Sequence, residues 1–200
     1  MVQFIYLASQ SPRRAQLLDQ MGVPHRLLVA DAQEDTESLE AVLDAEDPVG
    51  YVQRVTALKL DAALARLAQR RLPLAPVLCA DTTVALGNVI YGKPANPRDA
   101  ARMLRELAGQ THRVITAVAL GDGPRRSAAL SKSTVTFAAL SNRQIDAYVA
   151  SGEPMGKAGA YAVQGRAAMF IARIEGSYSG IMGLPMHETA QLLRASGFEL

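Results

Sequence analysis

Two adjacent arginines, Arg13 and Arg14, lie at a predicted helix start in the stretch LASQSPRRAQLL. Ser11 is a residue type that caps helices, and Pro12 suits the first helical position because no donor is lost there. Free backbone N–H groups, the positive end of the helix dipole and two guanidinium groups together form a site suited to phosphate. The alternative is a solvated arginine pair on a helix surface, and this stretch alone does not decide between the two.

Further along the chain, one acidic residue and two lysines occur in stretches that could serve the same chemistry. Asp81 ends the apolar run VLCA, where a carboxylate can hold Mg²⁺, orient water or act as a general base. Lys93, held between glycine and proline in GKP, can face phosphate oxygens. The stretch KAGAYAVQG adds Lys157 and Gln164, whose amide can bind the edge of a base or ribose. These residues also have a purely structural interpretation: Asp81 could cap a turn, and the lysines could simply be exposed.

Other kinds of catalytic site are excluded by residue type and spacing. The chain contains neither a GxxxxGK[ST] phosphate loop nor a GxSxG nucleophile elbow. His25, His112 and His187 are scattered without metal-ligand spacing, so we expect structural roles for them. Cys79, the only cysteine, lies in the apolar run APVLCAD and is expected to be a buried thiol.

The composition indicates a globular chain with small, locally bound partners. Its 200 residues fit one domain with a sizeable core. A net charge of +2, with 20% charged residues, argues against a nucleic-acid polymer or an anionic membrane surface as a partner. The N-terminal apolar run is too short for a secretory signal, and no segment approaches the roughly 18 apolar residues of a membrane span. The cytoplasm is therefore the expected compartment.

Strand and helix patterns alternate along the chain and must position these side chains. QFIYLA predicts a strand before the helix at Pro12, and Asp47 with Pro48 opens a second helix that reaches about Arg70. The acidic stretch 31–47 between them is predicted to be a solvated loop or a short helix. The second helix has six candidate core positions: Tyr51, Val52, Val55, Leu58, Ala62 and Leu64.

The second half of the chain continues the alternation. Gly87-Asn88 predicts a tight hairpin turn, because both residues tolerate positive φ. Asp81 is expected at or just beyond the end of a buried strand formed by the apolar run from Val77 to Ala80. Helices between strands, together with this hairpin, predict an α/β fold with a mixed sheet. Strands are predicted over 112–120, 131–138 and AMFIARI, and helices after Asn96, after Ser141 and over LPMHETAQLLRASG.

The motifs together resemble those of the Maf, or septum-formation, family of nucleoside triphosphate pyrophosphatases. The resemblance runs from about Leu7 to Leu193 and rests on five stretches in order: LASQSPRRAQLL, ADTTV…GKP, LAGQTHRVITAV, KAGAYAVQG and IEGSYSGIMGLPMHETAQLL. It implies one domain over residues 1–200, a two-lobed α/β fold around an elongated mixed β-sheet, with a central nucleotide cleft similar to that of the inosine triphosphate pyrophosphatases. It also implies a homodimer and a divalent metal cation, Mg²⁺ or Mn²⁺.

The resemblance further implies cleavage of a nucleoside triphosphate to the monophosphate and pyrophosphate. KAGAYAVQG is similar to the branch acting on dTTP and UTP, with Arg13, Thr82 and Gln164 at the positions associated with that choice. By the same resemblance Asp81 is the catalytic acid/base and a metal ligand, and Lys59 and Lys93 act with it. Substrate binding is expected of Ser9, Ser11, Arg13, Arg14, Thr82, Lys157 and Gln164.

One departure from the family pattern concerns the second metal ligand. The family carries an aspartate-glutamate pair before the second helix, whereas this chain has Glu34-Asp35 in reversed order within a longer stretch. The candidates are Glu34, Asp35 and Glu37, of which Glu37 is ranked first. Two alternative functions stay open: a nucleotide-binding regulator of cell division with little turnover, and the same chemistry on modified pyrimidine nucleotides or 7-methyl-GTP.

Overall fold

The computed structural model describes residues 4–31, 34 and 38–200, whose strands form one mixed seven-stranded sheet. The strands are β1 (Ile5–Leu7), β2 (His25–Leu27), β3 (Val77–Leu86), β4 (Val89–Tyr91), β5 (Thr111–Asp122), β6 (Arg125–Phe137) and β7 (Ile171–Glu175). Their order is β2-β1-β3-β5-β6-β7, and β4 pairs with β3. Strand β1 is parallel to β2 and β3, and the other pairs are antiparallel. The predicted α/β fold with a mixed sheet is confirmed.

The described residues also form six α-helices, joined by short 3₁₀ turns over Ser38–Glu40, Ala158–Ala160 and Arg166–Phe170. No helix in this described part is both long and apolar enough to cross a bilayer. The helices are α1 (Pro12–Gln20), α2 (Pro48–Gln69), α3 (Pro97–Leu107), α4 (Asn142–Ala150), α5 (Tyr178–Met182) and α6 (Met186–Ala195).

Helix α2 begins and ends within a residue of its predicted bounds. Its start is fixed by Asp47, whose Oδ1 accepts hydrogen bonds from the backbone N–H groups of Val49 and Gly50 at 2.9 and 3.2 Å. The predicted core position Leu58 is wrong, because this side chain is 38% exposed and points away from the sheet. Helix α2 lies on one face of β3 and β5, packing Val52, Val55, Leu60, Ala63 and Leu67 against Val77, Cys79, Ile115, Ala117 and Ala119.

The opposite face of the sheet packs against the other helices in one large apolar cluster. Alternate residues of each strand point to opposite faces, so Leu78, Ala80 and Val84 of β3 face this cluster. Burial of the thiol raises the pKa of Cys79, on the α2 face, to about 12, as expected for a structural cysteine.

Three local predictions are wrong. Asp81 does not end its strand, because β3 continues through Leu86 with β5 paired alongside it. Ser11 occupies the position before α1, but its side chain makes no capping hydrogen bond. The segment AMFIARI begins as a 3₁₀ turn and becomes strand only at Ile171. The hairpin at Gly87-Asn88 is confirmed.

Candidate active site

The site lies along an unpaired stretch of one edge of β3. On that edge β1 pairs with Val77–Leu78 and β4 pairs with Val84–Leu86, whereas β5 occupies the whole opposite edge. Residues 79–83 therefore have no strand partner on this edge among the described residues. Because side chains alternate along a strand, Asp81 lies on the α2 side and Thr82 on the other, and both line one cleft of about 410 Å³.

The first wall of the cleft is the turn between β1 and α1. The Ser9 hydroxyl oxygen accepts hydrogen bonds from the Ser11 backbone N–H and from Arg14 Nη1, both at 3.1 Å. With its oxygen accepting twice, the hydroxyl has its own proton left to donate into the cleft. Ser9, rather than Ser11, therefore orders this turn. The Ser9 hydroxyl lines the cleft and can donate its proton to an anion bound there.

Both arginines of this wall are held by backbone carbonyls at the C-terminal end of α5. Arg13 Nε donates to the carbonyl of Met182 at 3.3 Å, and Arg14 Nε donates to that of Gly183 at 2.8 Å. Burial lowers the pKa of both side chains, and for Arg14 the Asp81 carboxylate opposes that shift. Since arginine nevertheless stays charged, the wall presents two positioned cations.

The α2 side of the cleft holds a chain of alternating charges. Lys59 Nζ donates to Asp81 Oδ1 at 2.5 Å and to Glu40 Oε1 at 2.7 Å. Glu40 also accepts from Lys93 Nζ at 2.8 Å. Burial raises the pKa of Glu40, but the two ammonium groups outweigh it and the net shift is downward. These contacts bring together Asp81, Lys59 and Lys93, which are far apart in sequence.

Glu40 is the acidic residue that sequence reasoning missed. It lies at the end of the 3₁₀ turn Ser38–Glu40, and its partners are 19 and 53 residues away. No local pattern distinguishes it from the other acidic residues of the stretch 31–47, because only the tertiary fold brings it to Lys59.

Of the three acidic residues proposed from sequence, the structure describes one. Glu34 binds Arg66 through both carboxylate oxygens at 2.6 to 3.1 Å, which holds the pKa of Glu34 at about 2. Arg66 is buried and also donates to the Leu28 carbonyl at 3.0 Å. The Glu34 carboxylate is therefore engaged away from Lys59. The acidic stretch 31–47 is predicted from sequence to be a solvated loop or a short helix, and its described residues include the short 3₁₀ helix Ser38–Glu40. Asp35 and Glu37 lie outside the described residues.

The opposite wall contains residues of KAGAYAVQG. Lys157 lines the cleft, and its ammonium donates to the Glu153 carbonyl. Burial lowers the pKa of Lys157. Tyr161 also lines the cleft, and its hydroxyl lies 2.8 Å from Nε2 of the buried His112. Gln164, in contrast, is exposed and does not line the cleft. None of the three histidines lines it either.

The donor set of the cleft suits a hard divalent cation. Asp81 and Glu40 offer carboxylate oxygens, the ligands that Mg²⁺ prefers, and both already bind one positive charge, the Lys59 ammonium. Within residues 4–31, 34 and 38–200, no three His, Cys, Asp or Glu side chains converge on a closed metal cage. Such a pair fits the use of Mg²⁺ with phosphates, where substrate oxygens and water complete the coordination shell.

Comparison with known proteins identifies the family. Residues 4–196 match the model of the family described as Maf-like protein. The dTTP/UTP pyrophosphatase of Albidiferax ferrireducens is 66% identical over 200 residues, covering all of both chains. That of Cupriavidus metallidurans is 61% identical over 197 residues, covering 98% of each. Among solved structures, the Staphylococcus aureus Ham1 protein is 11% identical, with a TM-score of 0.43 over 97% of each chain. The chain thus belongs to the Maf-like protein family.

Proposed function

We propose that this chain hydrolyses dTTP and UTP to the nucleoside monophosphate and pyrophosphate. The observation that carries this proposal is the contact of one ammonium, Lys59, with two carboxylates, Asp81 and Glu40, inside a cleft that also holds two half-buried arginines. The relatives named dTTP/UTP pyrophosphatase cover the whole chain, which supports the same substrates here.

The triphosphate binds along the wall formed by Ser9 and the two arginines. Ser9 donates its free hydroxyl proton to a phosphate oxygen, and Ser11, whose hydroxyl caps nothing, is available for the same purpose. The Nη groups of Arg13 and Arg14 supply fixed charge, because their Nε atoms are already held by carbonyls. Lys59 and Lys93 approach the phosphates from the α2 side, and Lys157 from the opposite wall.

Asp81 performs the chemical step. Its carboxylate orients a water molecule and accepts its proton as the water oxygen attacks the α-phosphorus. The bond between that phosphorus and the oxygen bridging to the β-phosphorus breaks, and the electron pair leaves with pyrophosphate. The arginines and lysines stabilise the charge that develops on the leaving group; one such fixed contact typically contributes about 10²–10³ in rate.

A bound Mg²⁺ or Mn²⁺ would draw charge from the phosphate oxygens. Asp81 and Glu40 are the residues of this chain that would hold it, and Glu40 takes the place in our proposal that the sequence suggested for Glu37. Lys59 lies between the two carboxylates and holds both of them in position before the substrate arrives.

We also propose that residues 1–200 form one domain whose two lobes meet at this cleft, and that two copies form a homodimer. Sedimentation of the purified chain at micromolar concentration tests the second statement: a single species of twice the chain mass supports it, and a monomer contradicts it.

The experiment that tests the activity measures pyrophosphate and orthophosphate released from dTTP, UTP, CTP, dGTP, ATP and 7-methyl-GTP, with Mg²⁺ and with chelator. We expect metal-dependent pyrophosphate from dTTP and UTP and little from the purines. Preferential cleavage of 7-methyl-GTP would support the proposed pyrophosphatase reaction but contradict dTTP and UTP as its substrates. Binding without any cleavage would favour a nucleotide-binding regulator.

A further inference from the structure

Three hydroxyl side chains form a row across the middle of the sheet. Thr82 of β3 lies opposite Thr116 of β5, and Thr116 lies opposite Ser131 of β6. The apolar side chains of Val84 and Val118 lie beside the row, and Thr116 is 1% exposed. A buried hydroxyl must find hydrogen-bond partners, so the partners of Thr116 determine what this row can do.

The Thr116 hydroxyl has two partners and a single proton to share between them. Its Oγ1 lies 2.7 Å from the carbonyl oxygen of Gly180 and 2.9 Å from Thr82 Oγ1. A carbonyl oxygen accepts but never donates, so the Thr116 proton must point to Gly180. The bond between the two threonines then needs the proton of Thr82. The direction of the relay is fixed: Thr82 donates to Thr116, and Thr116 donates to the carbonyl of α5.

This direction determines how Thr82 meets a ligand. Its proton is directed away from the cleft, so only its oxygen lone pairs remain for a bound molecule. In the described part of the chain no side chain other than Thr116 hydrogen-bonds to the Thr82 hydroxyl. Thr82 is half-buried at the cleft edge and open to a ligand. A phosphate oxygen carries no proton to donate to it, whereas a base N–H does.

Two hydroxyls of the cleft, those of Ser9 and Thr82, thus offer opposite hydrogen-bonding groups to a ligand. Ser9 accepts twice from its own turn and offers a proton, which suits a phosphate oxygen. Thr82 gives its proton to Thr116 and offers lone pairs, which suits an N–H group. Thymine and uracil both carry an N–H at ring position 3, where cytosine has an unprotonated nitrogen that can only accept.

We infer that Thr116 is a specificity-determining positioning residue, which fixes Thr82 as a hydrogen-bond acceptor and so selects bases that present an imide N–H. This inference rests on the proposed function, since it explains how that site prefers dTTP and UTP over CTP. Thr116 acts through Thr82 and does not itself line the cleft.

The test compares kcat/KM for UTP and CTP in the wild type, Thr116→Val and Thr116→Ser. Valine removes the acceptor for the Thr82 proton, which is then free to turn into the cleft and donate to cytosine N3. We expect the UTP/CTP ratio to fall at least about tenfold in Thr116→Val, with CTP turnover rising, and to stay within about threefold of wild type in Thr116→Ser. If the role of Thr116 were purely structural, kcat/KM would fall equally for UTP and CTP and their ratio would stay unchanged.

A second measurement needs no variant and so does not depend on whether Thr116→Val folds. Wild-type protein is assayed with UTP methylated at N3, which has no imide proton, and we expect kcat/KM to fall at least about 100-fold relative to UTP. An N3-methyl substrate cleaved as well as UTP, or an unchanged UTP/CTP ratio in folded Thr116→Val, overturns the inference. Failure of the wild type to cleave UTP at all would instead overturn the proposed function.

Discussion

The buried His112 predicts a specific loss of stability on mild acidification. Its ring lies behind the cleft wall, 1% exposed and in edge contact with Phe137 and Tyr161. Burial lowers the pKa of His112 to about 4, whereas an unperturbed histidine titrates near 6.5. Nδ1 has no hydrogen-bond partner among the described residues, so no acceptor stabilises a proton on that nitrogen.

The sign and size of the effect follow from proton linkage. Between pH 6.5 and 4 the unfolded chain binds a proton at this histidine and the folded chain does not, so acid favours unfolding. The contribution of neutral His112 to the free energy of unfolding is fully present above pH 6.5 and is lost as the pH falls toward 4. Each pKa unit corresponds to 1.36 kcal/mol. His112 therefore lowers the free energy of unfolding by about 2 kcal/mol at pH 5 and about 3 kcal/mol at pH 4, relative to neutral pH.

The assay is urea unfolding of wild type and His112→Asn at several pH values from 7.5 to 4. Carboxylates titrate equally in both proteins, so the difference between their free energies of unfolding isolates His112. We expect that difference to shift in favour of the variant by about 3 kcal/mol across the range. His187→Asn, at an exposed histidine, is the matched control and should show no shift. A pH-independent difference for His112→Asn would refute the reasoning.

Three further substitutions test the positioning of the site. Gly183→Ala places a side chain at φ +118°, with Cβ 3.6 Å from Arg14 Nε; we expect a loss of about 1–3 kcal/mol in stability and a higher KM for dTTP. Lys59→Met removes the ammonium between two carboxylates and should lower kcat by about 10²–10³ while the protein stays folded. Asp47→Ala removes the cap of α2 and should lower the free energy of unfolding by about 1 kcal/mol, measured in urea, without changing kcat.

Matched controls separate these effects from general damage. Gly22→Ala also forces alanine to positive φ, but with no atom within 4 Å, so its stability should fall while the KM for dTTP stays unchanged. Lys132→Met removes an exposed lysine on β6 and should leave kcat at the wild-type value. Equal effects of Gly183→Ala and Gly22→Ala on KM, or of the two lysine variants on kcat, would show that the cleft contacts contribute nothing. A kcat lowered by Asp47→Ala would contradict a purely structural cap.

The sequence predicted features that depend on neighbouring residues. Asp47 with Pro48 fixed the start of α2, because an aspartate cap and a proline at the first helical position are local signals. Gly87 takes φ +59° in the hairpin, as the turn chemistry requires. The resemblance to the Maf family, rather than any local pattern, implied that Asp81, Lys59 and Lys93 belong to one site.

Features set by distant contacts could not be predicted in this way. Strand β3 continues past Asp81 because β5 pairs with it from Val77 to Ala85, a partner 28 to 44 residues away that no local pattern reveals. Glu40 differs from its acidic neighbours only by the lysines that the fold brings to it. Gln164 is exposed although adjacent motif residues line the cleft, because backbone direction within a turn is not encoded in the motif.

The most direct test of the central claim is hydrolysis of dTTP in ¹⁸O-labelled water by the wild type and Asp81→Asn, with products resolved by mass spectrometry. We expect one ¹⁸O atom in dTMP and none in pyrophosphate, because water attacks the α-phosphorus. Asp81→Asn should bind dTTP but release almost no product. Label in pyrophosphate, release of orthophosphate, or full turnover by Asp81→Asn would contradict the account.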